Sequence, residues 1–134
     1  MASILVVDDE KLVRDLLRRL LELAGHQVCE AADGEEALVR LEAQPFDLMI
    51  LDLFMPRQDG LETLMALRRQ NKHLAVIAIS GGGSSQYDLL RVAEKFGAAR
   101  VLSKPFGRDE LMQTVQALLP APPAADAAGR REPA

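Results

Sequence analysis

Three aspartates and one lysine stand at the ends of short apolar runs in this chain. Asp8 and Asp9 follow the first run, Asp52 follows a second, and Lys104 follows a third in the dipeptide Lys104-Pro105. If the runs are neighbouring parallel strands, their carboxyl ends meet at one edge of a sheet and bring these groups together. Converging carboxylates repel one another, and a divalent cation or a proton relieves the repulsion. The cluster is therefore the candidate functional site.

The residue types in this cluster indicate phosphoryl chemistry on a carboxylate. Hard oxygen ligands without His or Cys nearby suit Mg²⁺ better than zinc. A carboxylate held ionised by Mg²⁺ and a lysine can attack an activated phosphoryl group and become an aspartyl phosphate, with Asp52 as the candidate. The metal and Lys104 would stabilise the transferring oxygens. Ser80, at the end of a further apolar run, can donate a hydrogen bond to the phosphoryl group.

Each of these residues has an ordinary explanation when it is taken singly. An aspartate that ends a strand is usually a turn residue or a helix cap, which is how Asp8 alone would be interpreted. Ser80 before three glycines is typical of a loop, and Lys104 alone would be a surface lysine. The functional interpretation therefore depends on the joint pattern.

Strand-like and helix-like segments alternate along the chain and would position the cluster. Asp33 with Glu36 resembles a capping box at the start of the second helix, and Gly25 ends the first. The predicted strands cover 4–7, 27–31, 47–51, 75–79 and 100–102, and the predicted helices cover 10–24, 33–41, 58–70, 84–96 and 107–119. Five strand–helix units with short connections predict an α/β fold, a doubly wound parallel sheet with helices on both faces.

Composition limits the domain count and the classes of partner. The chain has 134 residues, 49% of them hydrophobic and 27% charged, which predicts one globular domain. We assign this domain to residues 1–119. Residues 120–134 are rich in Pro and Ala and lack large apolar side chains, which predicts a disordered tail or linker.

Charge and hydropathy argue against nucleic-acid and membrane partners. The formal net charge of −4 disfavours direct nucleic-acid binding. We interpret the basic residues Arg14, Arg18 and Arg19 as a solvated helix face. No run approaches the ~20 apolar residues of a membrane span, and the first run is too short for a signal peptide. We therefore predict a cytoplasmic protein with no membrane partner.

The motifs resemble those of a known family over roughly residues 3–119. They are Val6-Val7-Asp8-Asp9-Glu10, Asp52-Leu53-Phe54-Met55-Pro56 with Asp59-Gly60, Ser80 after an apolar strand, and Lys104-Pro105-Phe106. In order and spacing the chain resembles the receiver domain of bacterial two-component response regulators. The resemblance implies a flavodoxin-like sheet of five strands in the order 2-1-3-4-5, with five helices.

The resemblance also implies the roles of the site residues. Asp52 would accept a phosphoryl group from a sensor histidine kinase or a phosphotransfer protein. Asp9, Asp52 and the backbone carbonyl of Phe54 would ligate Mg²⁺ directly, and Asp8 would act mainly through water. The resemblance further implies that Ser80 and Lys104 would contact the phosphoryl group and that the Lys104–Pro105 peptide bond would be cis.

A receiver is a phosphorylatable switch that catalyses only its own phosphorylation and dephosphorylation. The implied output is a changed surface on the helix at 84–96, the fifth strand and the last helix, which would bind an unknown downstream protein. Receivers usually carry Tyr or Phe three residues before the lysine, whereas this chain has Val101. We therefore expect the output to depend on movement of the 81–83 loop and the helix that follows it.

Two alternative functions stay open at this point. A Mg²⁺-dependent phosphohydrolase with an aspartyl-phosphate intermediate would usually carry Asp-x-Asp after the first strand and a substrate-enclosing cap. Here Asp8 and Asp9 are adjacent, and no insertion is long enough for a cap. A phosphorylation-independent interaction domain is the other alternative, and degenerate receivers tend to lose the acidic residues. The chain could be a stand-alone receiver or a piece of a longer regulator.

Overall fold

A five-stranded parallel sheet forms the centre of the protein in a computed structural model that describes residues 2–53, 60–70, 74–80, 91 and 93–119. The strands are β1 (Ser3–Val7), β2 (Gln27–Ala31), β3 (Leu48–Asp52), β4 (Ala75–Ser80) and β5 (Arg100–Ser103). Their order across the sheet is β2-β1-β3-β4-β5, and all four pairings are parallel. The predicted order 2-1-3-4-5 is therefore confirmed.

Helices cover both faces of the sheet. Within the described residues, the helices are α1 (Lys11–Leu23), α2 (Gly34–Ala43), α3 (Gly60–Arg69) and a C-terminal helix (Arg108–Leu118). Residues 91 and 93–95 are also helical, within the helix predicted over 84–96. Residues 84–90 and 92 of that predicted helix, the glycine loop at 81–83 and the predicted tail at 120–134 lie outside the described residues, whereas Phe96 is in the turn that follows the helix. Within the described residues, no helix is long and apolar enough to cross a membrane.

The central strands are apolar between their end residues because both of their faces are covered. One hydrophobic layer lies between the sheet and helices α2 and α3, with Leu41, Leu64 and Leu67 fully or nearly buried. The other lies between the sheet and α1 with the C-terminal helix, and it includes Leu21 and Val115. The sheet separates the two layers, so each helix pair packs on its own face.

The polar signals at the helix ends match the structure closely. The Asp33 side chain accepts a hydrogen bond from Glu36 N at 2.8 Å, which confirms the predicted N-cap of α2. The Glu36 carboxylate accepts from Ala32 N at 2.7 Å, one residue before the amide of the usual capping box. Gly25 follows α1 with φ of 95°, a left-handed conformation that glycine adopts without strain.

Arg68 on α3 connects two separate segments through their backbone carbonyls. Its guanidinium donates to Phe96 O at 3.1 Å, to Gly97 O at 2.6 Å and to Leu74 O at 3.5 Å. Gly97 has φ of 94°, and a Cβ there would lie 2.7 Å from Arg68 Nε. The start of β4 and the turn before β5 are thus fixed to the same helix.

Besides shifts of one or two residues at other element ends, two differences from the prediction concern the site and the surface of α1. Asp52 and Ser80 are the last residues of β3 and β4 rather than the residues after them. The apolar stripe of α1 is also wider than the face it buries, since Leu12 is 83% exposed and Leu16 is 58% exposed. The stripe extends onto the solvent side of the helix, which periodicity alone does not reveal.

Candidate functional site

The three aspartates meet at the carboxyl edge of the sheet. β1 and β3 are hydrogen-bonded neighbours, with Val7 opposite Leu51, so Asp8 and Asp52 end adjacent strands. One carboxylate oxygen each from Asp8, Asp9 and Asp52 lies within 4.8 Å of the other two. Asp8 and Asp52 are buried, whereas Asp9 is exposed. The predicted cluster is therefore present, with one of its members open to solvent.

Lys104, which follows β5, places a positive charge beside this cluster. Its ammonium lies 3.5 Å from Asp8 Oδ2 and 3.8 Å from Asp52 Oδ2. Lys104 follows β5, its peptide bond to Pro105 is cis, and its backbone N–H donates to Ser80 O at 2.9 Å. The resemblance implied that cis bond. One lysine beside three aspartates gives the cluster a formal charge of −2, which a divalent cation would balance.

The donor set at this edge fits Mg²⁺. All three side chains offer carboxylate oxygens, the hard ligands that Mg²⁺ prefers, and Mg²⁺ sites in proteins usually use only one or two of them directly. The open side at Asp9 leaves room for water or phosphate oxygens. The predicted fourth ligand, the carbonyl of Phe54, lies outside the described residues.

Ser80 lies at the same edge and is fully buried. It ends β4 one residue after Ile79, which pairs in register with Asp52, and it pairs with Ser103 on β5. β4 thus lies between the strand that ends in Asp52 and the strand that leads to Lys104. The structure places Ser80 beside both residues along the sheet.

Backbone hydrogen bonds fix the turn between β1 and α1. Asp8 N donates to Ala31 O at 3.2 Å, which extends the β1–β2 pairing by one residue. Glu10 N donates to Asp8 Oδ1 at 2.9 Å, an Asx-type contact. Arg14 Nη1 donates to the carbonyl oxygen of Asp8 at 2.7 Å. The turn that presents Asp8 and Asp9 is therefore bound to β2 and to α1.

The interpretation of the basic residues of α1 as a solvated face was wrong for Arg14. Its side chain is only 14% exposed, and its Nε lies 3.1 Å from Glu30 Oε1. Arg18 Nη1 contacts the other oxygen of Glu30 at 2.5 Å, and Arg18 Nε lies 3.1 Å from Glu22. The hydrogen bond to Glu30, followed by that to Glu22, raises the pKa of Arg18. Glu30, a charged residue between Cys29 and Ala31 in β2, was the available signal.

Gly60 packs directly against the strand end that carries Asp52. Its N–H donates to Leu53 O at 3.2 Å. A Cβ at this position would clash with Asp52 O and would lie 2.5 Å from Leu53 Cα. A glycine is required because α3 begins in contact with the β3 backbone. Its motif partner Asp59, with Met55-Pro56, lies outside the described residues.

Comparison with known sequences identifies relatives. The profile of the response regulator receiver domain matches residues 4–116. The chain is 40% identical over 119 residues to transcriptional regulatory protein CpxR of Escherichia coli, covering 89% of this chain and 50% of that protein. It is 37% identical over 117 residues to alkaline phosphatase synthesis transcriptional regulatory protein PhoP of Bacillus subtilis, covering 87% and 48%. The chain spans about half the length of these relatives.

Solved structures show the same fold at comparable identity. Chemotaxis protein CheY4 of Vibrio cholerae aligns with a TM-score of 0.80 and 34% identity, covering 89% of this chain and 99% of that one. Response regulator protein TrrA of Thermotoga maritima, solved in complex with Mg²⁺ and BeF, aligns with a TM-score of 0.78 and 36% identity, covering 89% and 100%. With the strand order and the acidic edge described above, these similarities establish that the chain belongs to the response regulator receiver domains.

Proposed function

We propose that Asp52 of this receiver accepts a phosphoryl group from a phosphohistidine donor, either a sensor histidine kinase or a phosphotransfer protein. The observation that carries the proposal is the convergence of three carboxylates within 4.8 Å, with the Lys104 ammonium 3.5 Å and 3.8 Å from two of them. The Mg²⁺ and BeF complex of TrrA, a related receiver, supports the same chemistry here.

The proposed transfer is a displacement at phosphorus. A carboxylate oxygen of Asp52 forms the new O–P bond while the P–N bond of phosphohistidine breaks. The electron pair of that bond stays on the imidazole nitrogen, which then takes up a proton from solvent. Lys104 stabilises the charge on the transferring oxygens, and Ser80 donates a hydrogen bond to the bound phosphoryl group. Hydrolysis of the acyl phosphate at the same site returns the domain to its first state.

Mg²⁺ is the proposed cofactor of this transfer. Asp9, Asp52 and the backbone carbonyl of Phe54 would hold it directly, and Asp8 mainly through water. When bound, it supplies positive charge to the phosphoryl oxygens. Asp8 and Asp52 are 1% and 4% exposed, so their carboxylates interact in a site from which most water is excluded.

The proposed output is a change of surface in response to the new charge. The phosphoryl group on Asp52 carries about −1.5 to −2 charges at neutral pH, in place of the single negative charge of the free carboxylate, and this larger charge attracts Ser80 and Lys104. We propose that the helix at 84–96, β5 and the C-terminal helix then bind a downstream protein. Val101 is half-buried and packs on the α2–α3 layer, and the proposed switch needs no aromatic ring there. The net charge of −4 supports a domain that makes no direct nucleic-acid contact, and the proposed location is the cytoplasm.

Acetyl phosphate and Mg²⁺ provide the direct test. Intact-mass spectrometry of the full chain should detect the addition of one acid-labile phosphoryl group, absent in Asp52→Asn and present in the surface variant Asp15→Asn. Equal labelling of Asp52→Asn would contradict the assignment of the phosphoacceptor. Turnover of many organic phosphates without labelling of the chain would instead indicate a phosphohydrolase.

A further inference from the structure

Arg14 binds the peptide group that joins two of the three acidic residues. Its Nη1 donates to the carbonyl oxygen of Asp8 at 2.7 Å, and this carbonyl belongs to the Asp8–Asp9 peptide bond. The peptide group is planar and turns as one unit between its two Cα atoms, so its rotation changes ψ of the residue before it and φ of the residue after it together. A group that holds this plane therefore controls the directions in which both carboxylates leave the backbone.

Arg14 is itself held in place by a carboxylate on the edge strand. Glu30 on β2 accepts from Arg14 Nε at 3.1 Å, and the two side chains are 14% and 20% exposed. Glu30 uses its other oxygen for Arg18 at 2.5 Å. A guanidinium held by charge-assisted hydrogen bonds at this burial has little freedom to leave the Asp8 carbonyl.

We infer that Arg14 is a positioning residue that raises the Mg²⁺ affinity of the acidic cluster by holding the Asp8–Asp9 peptide. This inference rests on the proposed function. Without the hydrogen bond from Arg14, the turn has to be ordered when the cation binds, so part of the binding free energy is spent on that ordering. Residues that orient metal ligands in this way typically change metal affinity by about 10-fold to 100-fold.

The sign of the effect separates positioning from electrostatics. Removing a positive charge near three carboxylates would by itself strengthen cation binding, because the local potential becomes more negative. Removing a positioning group weakens binding. Removing a group that only stabilises the fold would lower the free energy of unfolding and leave the Mg²⁺ affinity of the folded protein unchanged.

Arg18 is the matched control for Arg14. It carries the same charge, lies on the same helix and binds the same carboxylate. In the described part of the chain its hydrogen bonds go to Glu22, Val28 and Glu30. Arg18→Gln therefore removes a charge and an ion pair to Glu30 without removing a contact to the Asp8–Asp9 peptide.

The experiment is a MgCl₂ titration of the full chain, followed by NMR of the backbone amides around Asp8 and Asp9. Arg14→Gln should bind Mg²⁺ about 10-fold more weakly than the wild type, while Arg18→Gln should keep the wild-type affinity. Arg14→Lys, which can still donate to the Asp8 carbonyl, should recover part of the loss. If Arg14→Gln does not fold, weaker binding by Arg14→Lys than by Arg18→Gln becomes the expected result.

Affinity of Arg14→Gln equal to or tighter than that of Arg18→Gln would overturn the inference. If Arg14→Lys folds and Arg14→Gln does not, the inference would be overturned by an Arg14→Lys variant that binds Mg²⁺ as tightly as Arg18→Gln. Acetyl phosphate labelling of the wild type tests the proposed function separately from the role of Arg14. A wild type that labels on Asp52 alongside unchanged Mg²⁺ affinity in the Arg14 variants would reject the positioning role alone.

Discussion

At the scale of single residues, the site combines two buried carboxylates with one exposed one. Asp8 and Asp52 both contact the Lys104 ammonium, while Asp9 faces solvent. Buried charges are tolerated when they are paired, and removal of one partner leaves an uncompensated charge in a poorly solvated place. Lys104 is therefore important for stability as well as for the proposed transfer.

Replacing Lys104 should make the fold depend on Mg²⁺. In Mg²⁺-free buffer, Lys104→Met should lower the free energy of unfolding by about 1–3 kcal/mol, because Asp8 and Asp52 lose their cation. Mg²⁺ should restore more stability to this variant than to the wild type, since binding to the native state alone stabilises it. Urea unfolding with EDTA and with MgCl₂ measures both quantities.

Lys11→Met is the control for that variant. Lys11 forms an exposed pair with Asp15 at 3.0 Å, and such pairs contribute about 0–1 kcal/mol. An equal gain from Mg²⁺ in the Lys104 variant, the Lys11 variant and the wild type would show that Lys104 does not compensate the acidic cluster.

At the scale of elements, the site depends on how closely α3 approaches the end of β3. Gly60 is the first residue of α3, and its backbone contacts those of Asp52 and Leu53. A side chain there would push either the helix or the strand end away. The position of Asp52 is thus set partly by a helix that contributes no charged group to the described site.

Gly60→Ala should displace Asp52 and destabilise the protein. The added Cβ has no space, and overpacking of this kind costs about 1–3 kcal/mol. We also expect slower labelling by acetyl phosphate, because the displaced carboxylate no longer shares the cluster geometry. Denaturant unfolding and the labelling rate are the measurements.

Gly107→Ala is the control because nothing lies within 4 Å of a Cβ at that position. Gly107→Ala should lower the free energy of unfolding by less than about 1 kcal/mol, because Gly107 is the N-cap of the C-terminal helix and alanine is a poorer N-cap than glycine. Labelling of Gly60→Ala at the rate of Gly107→Ala would mean that α3 does not constrain Asp52.

A hydrogen bond between Ala2, just before β1, and His26, in the turn after α1, should make the stability of the protein depend on pH. His26 Nδ1 accepts a hydrogen bond from Ala2 N at 3.2 Å, which requires the neutral ring. Burial lowers the pKa of His26 below 6.5, and the positive N-terminus lowers it further. The unfolded chain therefore takes up the proton first as pH falls, so this stability is present above pH 6.5 and is lost below it.

Thermal unfolding between about pH 5 and about pH 7 measures this contribution. His26→Gln keeps an acceptor but does not titrate in this range, so its stability should vary less with pH than that of the wild type. The same slope in both proteins would exclude His26 as the source.

Sequence patterns predicted the strands and the acidic edge well because both follow from short-range rules. Apolar runs identify buried parallel strands, and residues that end such strands must share an edge, which brings Asp52 and Lys104 together. The contact between Arg14 and the Asp8 carbonyl could not be predicted, because it depends on the rotation of α1 about its axis and on a side-chain rotamer. The clash at Gly60 depends likewise on the distance between two elements.

At the scale of the whole molecule, the sheet separates two hydrophobic layers. Their buried side chains are different residues, and the backbone of the sheet lies between them. Leu64 belongs to the layer under α2 and α3, and Ile4 belongs to the layer under α1 and the C-terminal helix. Both side chains are fully buried. A loss of packing on one face is therefore not relieved by rearrangement on the other.

Substitutions in the two layers should be additive. Leu64→Ala should cost about 2–5 kcal/mol and Ile4→Val about 0.5–1.5 kcal/mol. The double variant should equal their sum within about 0.5 kcal/mol, as for independent sites. Urea unfolding of the single and double variants tests this, and a large coupling energy would show that the sheet transmits packing changes between its faces.

The guanidinium of Arg68 has a consequence for how this sequence can diverge. It fills the space beside Gly97 that a side chain there would need, while it binds the carbonyls of Phe96 and Gly97. A relative that acquires a larger residue at position 97 must also have replaced or relocated the arginine at 68. In an alignment of descendants of this chain, positions 68 and 97 should covary even though they lie 29 residues apart in sequence.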